Sequence, residues 1–416
     1  GIFACQPKAT LSSLLDVLDV EGDDTILIDT GIYDIGTNSL WVLDPSDQGK
    51  AGLPVVILGS TNTTFGGSVM NRVGSGSNPL LTLNGGHILM QHIMFLNGGL
   101  ATADNVGLSD MIFTNFATVS MSGDNNSVQN ASFYRSSLNI NSVNGLVQNV
   151  TVSDAGITIS GTNVTIRNTL VYGTNTSPAV AVSGFNILLE NNTLATRGSA
   201  FVQTGLGGST LRNNILIADG VDLFCIDAPS GTLVSDYNNL RAINNAWIGG
   251  YRNGNWEHLN YWQREAGQDQ NSIAADPQFA NASSGDYRLR SLTGRWNGSI
   301  FVTDTNHSPS IDAGYPISSF GLEPAPNGQV VNQGFDGNTA LASKSRTNVW
   351  LLAMTANDGG VIKGTNTLTW RAGNAGESDL VRLEYSADSG ASWTTIVSGI
   401  SATQTNYLWN STTVAS

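Results

Sequence analysis

The chain has 416 residues, enough for two or three ordinary domains or for one long solenoid with an appended module. Charged residues make up only 12% of it, and Gly, Asn, Ser and Thr fill the deficit, a balance that favours turns and stacked strands over helices. Eighteen basic against 32 acidic residues give a net charge of −14, and only four of the basic residues are Lys, which excludes binding a nucleic-acid backbone by charge.

No run of 18 apolar residues occurs, so no transmembrane helix is expected. Gly1 is not followed by a charged-then-apolar leader, so any signal peptide is expected to be already absent. Asn-x-Ser/Thr recurs, for example at Asn62, Asn130, Asn149, Asn163, Asn175, Asn281 and Asn297, and permits glycosylation without requiring it. Cys5 and Cys225 are the only cysteines. Stacking at roughly 4.8 Å per rung would separate them by about 40 Å, too far for a disulfide.

Residues 10–19 carry Leu11, Leu14, Leu15 and Leu18 at helical spacing behind Thr10, a candidate N-cap. Thr25–Asp29 and Pro54–Gly59 follow as short strands bounded by turn residues. A helix before such strands would seal the first rung of a stack.

Between His92 and Asp236 one phrase recurs eight times, with a small polar residue at His92, Asp110, Asn130, Asn149, Asn168, Asn191, Asn213 and Asp236. The spacings are 18, 20, 19, 19, 23, 22 and 23 residues. Two places before each sits an apolar residue: Met90, Leu108, Val128, Val147, Ile166, Leu189, Leu211 and Val234. Three places after the first seven sit Phe95, Phe113, Phe133, Val152, Val171, Leu194 and Leu216. A period near 20 residues with strand-type composition predicts a solenoid whose units bury their apolar faces only by stacking. Stacked amides that satisfy one another and the turn backbone explain the Asn/Asp/His row without any chemistry. These residue types and spacings resemble the right-handed parallel β-helix superfamily, which includes pectate-lyase-like enzymes, phage tailspikes and surface proteins.

After Asp236 the rhythm breaks into an aromatic insertion with Trp247, Tyr251, Trp256, Tyr261 and Trp262. Then come Asp276-Pro277-Gln278-Phe279, Gly285-Asp286-Tyr287-Arg288-Leu289 and Ser308-Pro309-Ser310-Ile311-Asp312-Ala313-Gly314. These phrases resemble the closing segment of bacterial secreted β-helix proteins. From about residue 347, Trp350–Met354, Leu368–Trp370, Leu380–Tyr385 and Trp393–Val397 alternate like sandwich strands and resemble an immunoglobulin-like or fibronectin-like module. The expected fold is therefore all-β: a right-handed parallel β-helix solenoid over 1–345, with an N-terminal capping helix (cap 1–30) and a closing segment (241–345), then a small, incomplete β-sandwich over 346–416 that lacks its last strand.

The position just before the polar row reads Gln91, Ser109, Gln129, Gln148, Arg167, Glu190, Arg212 and Ser235 and should face solvent. Arg167, Glu190 and Arg212 should stack with alternating charge, either as an exposed ion-pair ladder or as a site for an acidic sugar. A uronate lyase needs a base for the proton on carbon 5 and a cation to neutralise the carboxylate. The acids at Asp104, Asp110, Asp124 and Asp154 are scattered, and no paired carboxylates lie in the rungs, so no catalytic group is assigned; the alternative lyase reading would use Arg167, Glu190 and Arg212. The aromatic insertion either plugs the solenoid end or offers a sugar-stacking surface, with Trp247, Arg252, Trp256, His258 and Trp262 as glycan candidates. Ser386–Trp393 matches the Asp-box hairpin, a fold element. No cofactor is expected, with Ca²⁺ as the alternative at Asp336-Gly337-Asn338 or Asn357-Asp358-Gly359, and no metal ligands are assigned.

The functional expectation is a non-enzymatic extracellular or cell-surface protein, structural or adhesive. It would assemble with itself into filaments by strand donation to the incomplete sandwich, or bind surface glycans. The alternative is a polysaccharide lyase or other carbohydrate-active enzyme acting on an acidic glycan. A glycan-binding module is the third reading.

Overall fold

The computed structural model describes residues 10–413 apart from 38, 63, 65, 75–78, 356 and 389, so Cys5 lies outside the described residues. The chain winds as a parallel β-solenoid with three sheets. The first stacks ten strands from Thr25–Ile28 to Thr232–Asp236, and the second stacks ten from Gly31–Ile35 to Asn239–Ile243. The third stacks ten from Trp41–Leu43 to Trp247–Tyr251, and Gly254–Trp256 pairs antiparallel at its end.

The repeat sets this register. Met90, Leu108, Val128, Val147, Ile166, Leu189 and Leu211 pair in one inward row, each no more than 1% exposed. Phe95, Phe113 and Phe133 form a second row, with ring centroids 5.3 and 4.8 Å apart. Such offset stacks add to the area the rings bury.

The polar row stands at the corner between the first and second sheets. His92, Asp110, Asn130, Asn149, Asn168, Asn191 and Asn213 are all left-handed, with φ of 52–59°. The other two corners are left-handed too, through His87, Asn105, Asn125, Asn144, Asn163 and Asn186, and through Asn97, Asn115, Arg135 and Asp154. Asn and Asp tolerate this conformation best among residues with a Cβ, which is why they repeat. Corner amides also join between rungs, as in Asn125→Asn105 (3.1 Å), Asn144→Asn125 (3.2 Å) and Asn186→Asn163 (2.7 Å).

The last rung departs from the sequence phrase. Asp236 pairs with Arg212, Ser235 with Leu211 and Val234 with Thr210. Asp236 therefore continues the solvent-facing row of Gln148, Arg167, Glu190 and Arg212, while Tyr237 takes the left-handed corner at φ 58°. Val234, expected inside, is 63% exposed, and Ser235 is buried in its place. A one-residue slip exchanges the faces of a strand.

Both ends are closed. Helix α1 (Leu11–Leu15) is shorter than expected, with Thr10 and Ser13 forming a reciprocal cap and Leu11 buried on the first rungs. Helix α2 (Leu259–Ala266) lays Leu259 and Trp262 over the other end of the core. A buried file of amides runs up to it: Asn192 donates to Asn214 and Asn214 to Asn238, each at 3.0 Å, and Asn238 donates to Asp269 at 3.1 Å.

The chain then runs back along the solenoid. Asn239 donates to Ser310, the Gly334 N–H to the Asn213 carbonyl, and Asn168 to the carbonyls of Phe335 and Gly337. This return segment covers the outer face of the second sheet, burying Ile215 against Leu289 and Ile311. Asn168, Asn191 and Asn213 thus hold the return segment, whereas Asn149 still donates to Asn130 at 3.2 Å. Beyond it, strands Trp350–Ala353, Thr365–Gly373 and Asn406–Asn410 form one antiparallel sheet, and Leu380–Tyr385 with Thr394–Ser401 a second. Their small core is Trp370, Val381, Ile400 and Ala402.

Candidate functional site

The C-terminal strands lean on the flank of the solenoid, and a groove of about 540 Å³ runs between them. A space of this size suits a small ligand or a few units of a polymer. The solenoid side supplies Tyr237, Gln270 and Asn271, the return segment Asp312, Gly314 and Pro316, and the strands Trp350, Arg371 and Asn406.

Arg371 is the principal charge. Its guanidinium donates to the Ala313 carbonyl at 2.7 Å and the Asn271 carbonyl at 2.8 Å. Among the described residues no carboxylate lies within ion-pair distance of it. Burial lowers its pKa from the usual arginine value, against the raising effects of Tyr237 and Asp236. The guanidinium also sits 5.6 Å from the Tyr237 ring centroid. Tyr237 in turn meets Tyr315 at 5.0 Å, and Arg212 lies 5.9 Å from the Tyr315 ring. Arg371 and Arg212 thus each sit beside one of two neighbouring tyrosine rings.

Tyr237 carries further information. Bulky residues rarely adopt a left-handed backbone, which costs them roughly 1–2 kcal/mol. Every other rung from Asp110 to Asn213 puts Asn or Asp at this corner. Strain retained beside a groove is a pointer to function. Burial and the nearby Asp236 carboxylate raise the Tyr237 phenol pKa, against the lowering effect of Arg371. Burial likewise raises Asp312, whose Oδ1 accepts from the Ser345 hydroxyl at 2.6 Å and the Gly328 N–H at 3.1 Å.

The residues singled out from sequence are placed as follows. Arg212 Nε meets Glu190 Oε1 at 2.8 Å, while Arg167 donates to Gln148 at 2.8 Å, so the alternating row closes a single ion pair. Asp236, its next member, accepts instead from the Asn271 backbone N–H and side-chain amide at 2.7 and 2.8 Å. Trp262 is fully buried with its N–H on Asp269, so it offers no face to a glycan, and Trp256 packs edge-on against it at 5.5 Å. Trp247 stacks on Phe224 at 6.2 Å, and Arg252 lies over Tyr251 at 5.0 Å. His258 faces Asp358 across the contact between α2 and the strands, at 3.7 Å. Asp336 faces Arg288 at 4.0 Å, and both Ca²⁺ candidates therefore set their carboxylate against a basic group. Cys225 is buried in the core.

Sequence reasoning missed Tyr237, Asp312, Trp350 and Arg371. They come from separate stretches, and the repeat carried no signal for them, because its phrase put the small polar residue at Asp236 and not at the corner that Tyr237 takes.

A family model described as "Disaggregatase related" matches residues 149–314. Among solved structures, a rhamnogalacturonan lyase aligns over 74% of this chain and 93% of its own at 11% identity, with a TM-score of 0.48. Pectate lyase Pel9A aligns over 78% and 90% at 13% identity, TM-score 0.41. The A-module of the Azotobacter vinelandii mannuronan C-5 epimerase AlgE6 aligns over 62% and 92% at 13% identity, TM-score 0.25. No curated protein matches the chain. The family match covers Tyr237, Gln270, Asn271, Asp312 and Gly314 of the groove lining and stops before Trp350 and Arg371.

Proposed function

We propose that this protein is a carbohydrate-active extracellular protein that holds an acidic polysaccharide in the groove between the solenoid and the C-terminal strands. The observation that carries the reading is Arg371, a half-buried cation without a carboxylate partner among the described residues, set beside the exposed parts of Tyr237 and Trp350. Guanidinium groups suit carboxylates because both are planar and can share two hydrogen bonds. The family description, disaggregatase related, is compatible with a protein that takes a polymer matrix apart.

β-Elimination is the reaction this set suits. Arg371 would neutralise the uronate carboxylate and acidify the proton on carbon 5. In that reaction Asp312 would take that proton as the bond from carbon 4 to the glycosidic oxygen breaks, and the Tyr237 phenol would protonate the leaving oxygen. Incubation with a panel of acidic polysaccharides, followed by ultraviolet absorbance of unsaturated uronate, tests cleavage, and calorimetric titration tests binding. Failure of every acidic glycan to bind would overturn the proposal.

A second reading, assembly by strand addition, is favoured by the sheet of Leu380–Tyr385 and Thr394–Ser401, which has only two strands and leaves both outer edges unpaired in the described chain. Sedimentation of the purified protein over a range of concentrations tests it, and a concentration-independent monomer would exclude it.

A further inference from the structure

Resting on the reading of the groove as an acidic-polysaccharide site, we propose that the polymer is gripped at two points, Arg371 and Arg212. Glu190 is then an internal counter-ion that holds Arg212 until a second anionic group of the polymer replaces it. The ligand class is an oligosaccharide with carboxylates on more than one unit, and a single uronate would engage only Arg371.

The geometry is a line of four side chains. Arg371 lies over Tyr237, Tyr237 packs on Tyr315, and Tyr315 faces Arg212, at 5.6, 5.0 and 5.9 Å. Gly314 and Pro316, on either side of Tyr315, both line the groove, and Tyr315 carries the contacts on to Arg212. Tyr237 reaches this position only by adopting the left-handed corner.

Arg212 is suited to exchange. Its side chain is 36% exposed, and Glu190 is its one ion-pair partner among the described residues. The other register neighbour, Asp236, is committed to Asn271. Glu190 keeps a donor when the arginine leaves, because the Ser318 hydroxyl also reaches Oε1 at 3.3 Å. Exposed ion pairs are weak, so a carboxylate tethered by its neighbour in the groove competes at high effective concentration.

The test uses the full chain with oligogalacturonates and hyaluronan fragments from disaccharide to octasaccharide, and neutral cello-oligosaccharides of the same lengths. Calorimetry should show at least about tenfold tighter binding of acidic octasaccharide than disaccharide. Arg212→Gln should remove that gain while leaving disaccharide affinity intact, and Arg212→Lys should restore part of it. Glu190→Gln should tighten octasaccharide binding about two- to fivefold by removing the competitor. Thermal melts of each variant exclude misfolding as the cause. Unchanged octasaccharide affinity in both Arg212→Gln and Glu190→Gln, with loss in Arg371→Gln, would overturn the two-point grip and leave the groove standing. Absence of acidic binding at every length, or equal binding of the neutral series, would overturn both.

Discussion

The guanidinium of Arg371 lies 5.6 Å from the ring of Tyr237, so the last left-handed corner between the first and second sheets and a strand of the C-terminal sheet meet in one cation–π contact. Arg371 has two tasks here, presenting charge to the groove and tethering the strands through the carbonyls of Ala313 and Asn271. Replacement separates them. Arg371→Gln should weaken acidic-glycan binding about 10–100-fold, and Arg371→Lys, which keeps the charge but loses the planar fork, should fall between. Titration at two salt concentrations checks the electrostatic origin, because the wild-type advantage should shrink as salt rises.

Tyr237→Asn restores the residue type that the same corner uses on most earlier rungs, from Asn130 to Asn213. It should relieve roughly 1 kcal/mol of backbone strain and raise the melting temperature by a few degrees. The same change removes the ring between Arg371 and Tyr315 and should weaken glycan binding about tenfold. A variant that is more stable and binds less well is the outcome expected at a site where strain serves function. A drop in melting temperature would show that the ring's packing outweighs the corner.

The return segment carries two buried acids, Glu323 and Asp336, both raised by burial to about 7. A raised carboxylate binds its proton more readily in the folded than in the unfolded chain. Between the ordinary carboxylate range and about pH 7 the folded state therefore holds more protons, and stability falls as pH rises. Melting temperature should be higher at pH 5 than at pH 8, and limited proteolysis of the return segment faster at pH 8. The double change Glu323→Gln with Asp336→Asn should flatten both dependences.

Gly337 tests how the return segment is held. A Cβ there would stand 2.1 Å from Asn191 Nδ2 and 2.2 Å from the Asn332 carbonyl, which are hydrogen-bonded to each other. Gly337→Ala should break that contact, costing on the order of 1–3 kcal/mol, and should expose residues near 335 to protease while the solenoid keeps its strand signal by circular dichroism.

The solenoid was legible because its period, inward rows and polar corners are local and repeat. The sequence phrase misled only at Val234-Ser235-Asp236, where the inward partner of Leu211 is Ser235. That hydroxyl accepts from Asn238, part of the buried polar file that ends at Asp269, so the usual demand for an apolar residue lapses there. Arg212 and Glu190 were found as a pair, since stacking in register follows from spacing. The groove could not be found so, because it depends on where the return segment lies and on how Arg371 meets Tyr237, neither of which any periodicity encodes.

The amide file of Asn192, Asn214 and Asn238 has a consequence for folding. Each amide also donates to a carbonyl of an earlier rung, Ile166, Leu189 and Leu211 in turn, and the file ends on Asp269 beneath Trp262. A coil of near-identical turns could mispair by one whole turn at little loss of apolar contact. Here such a slip would set an amide against the methyls of Val150 or deprive Asp269 of its Asn238 donor, so the polar thread works as a tally that admits the right number of turns before the plug can seat.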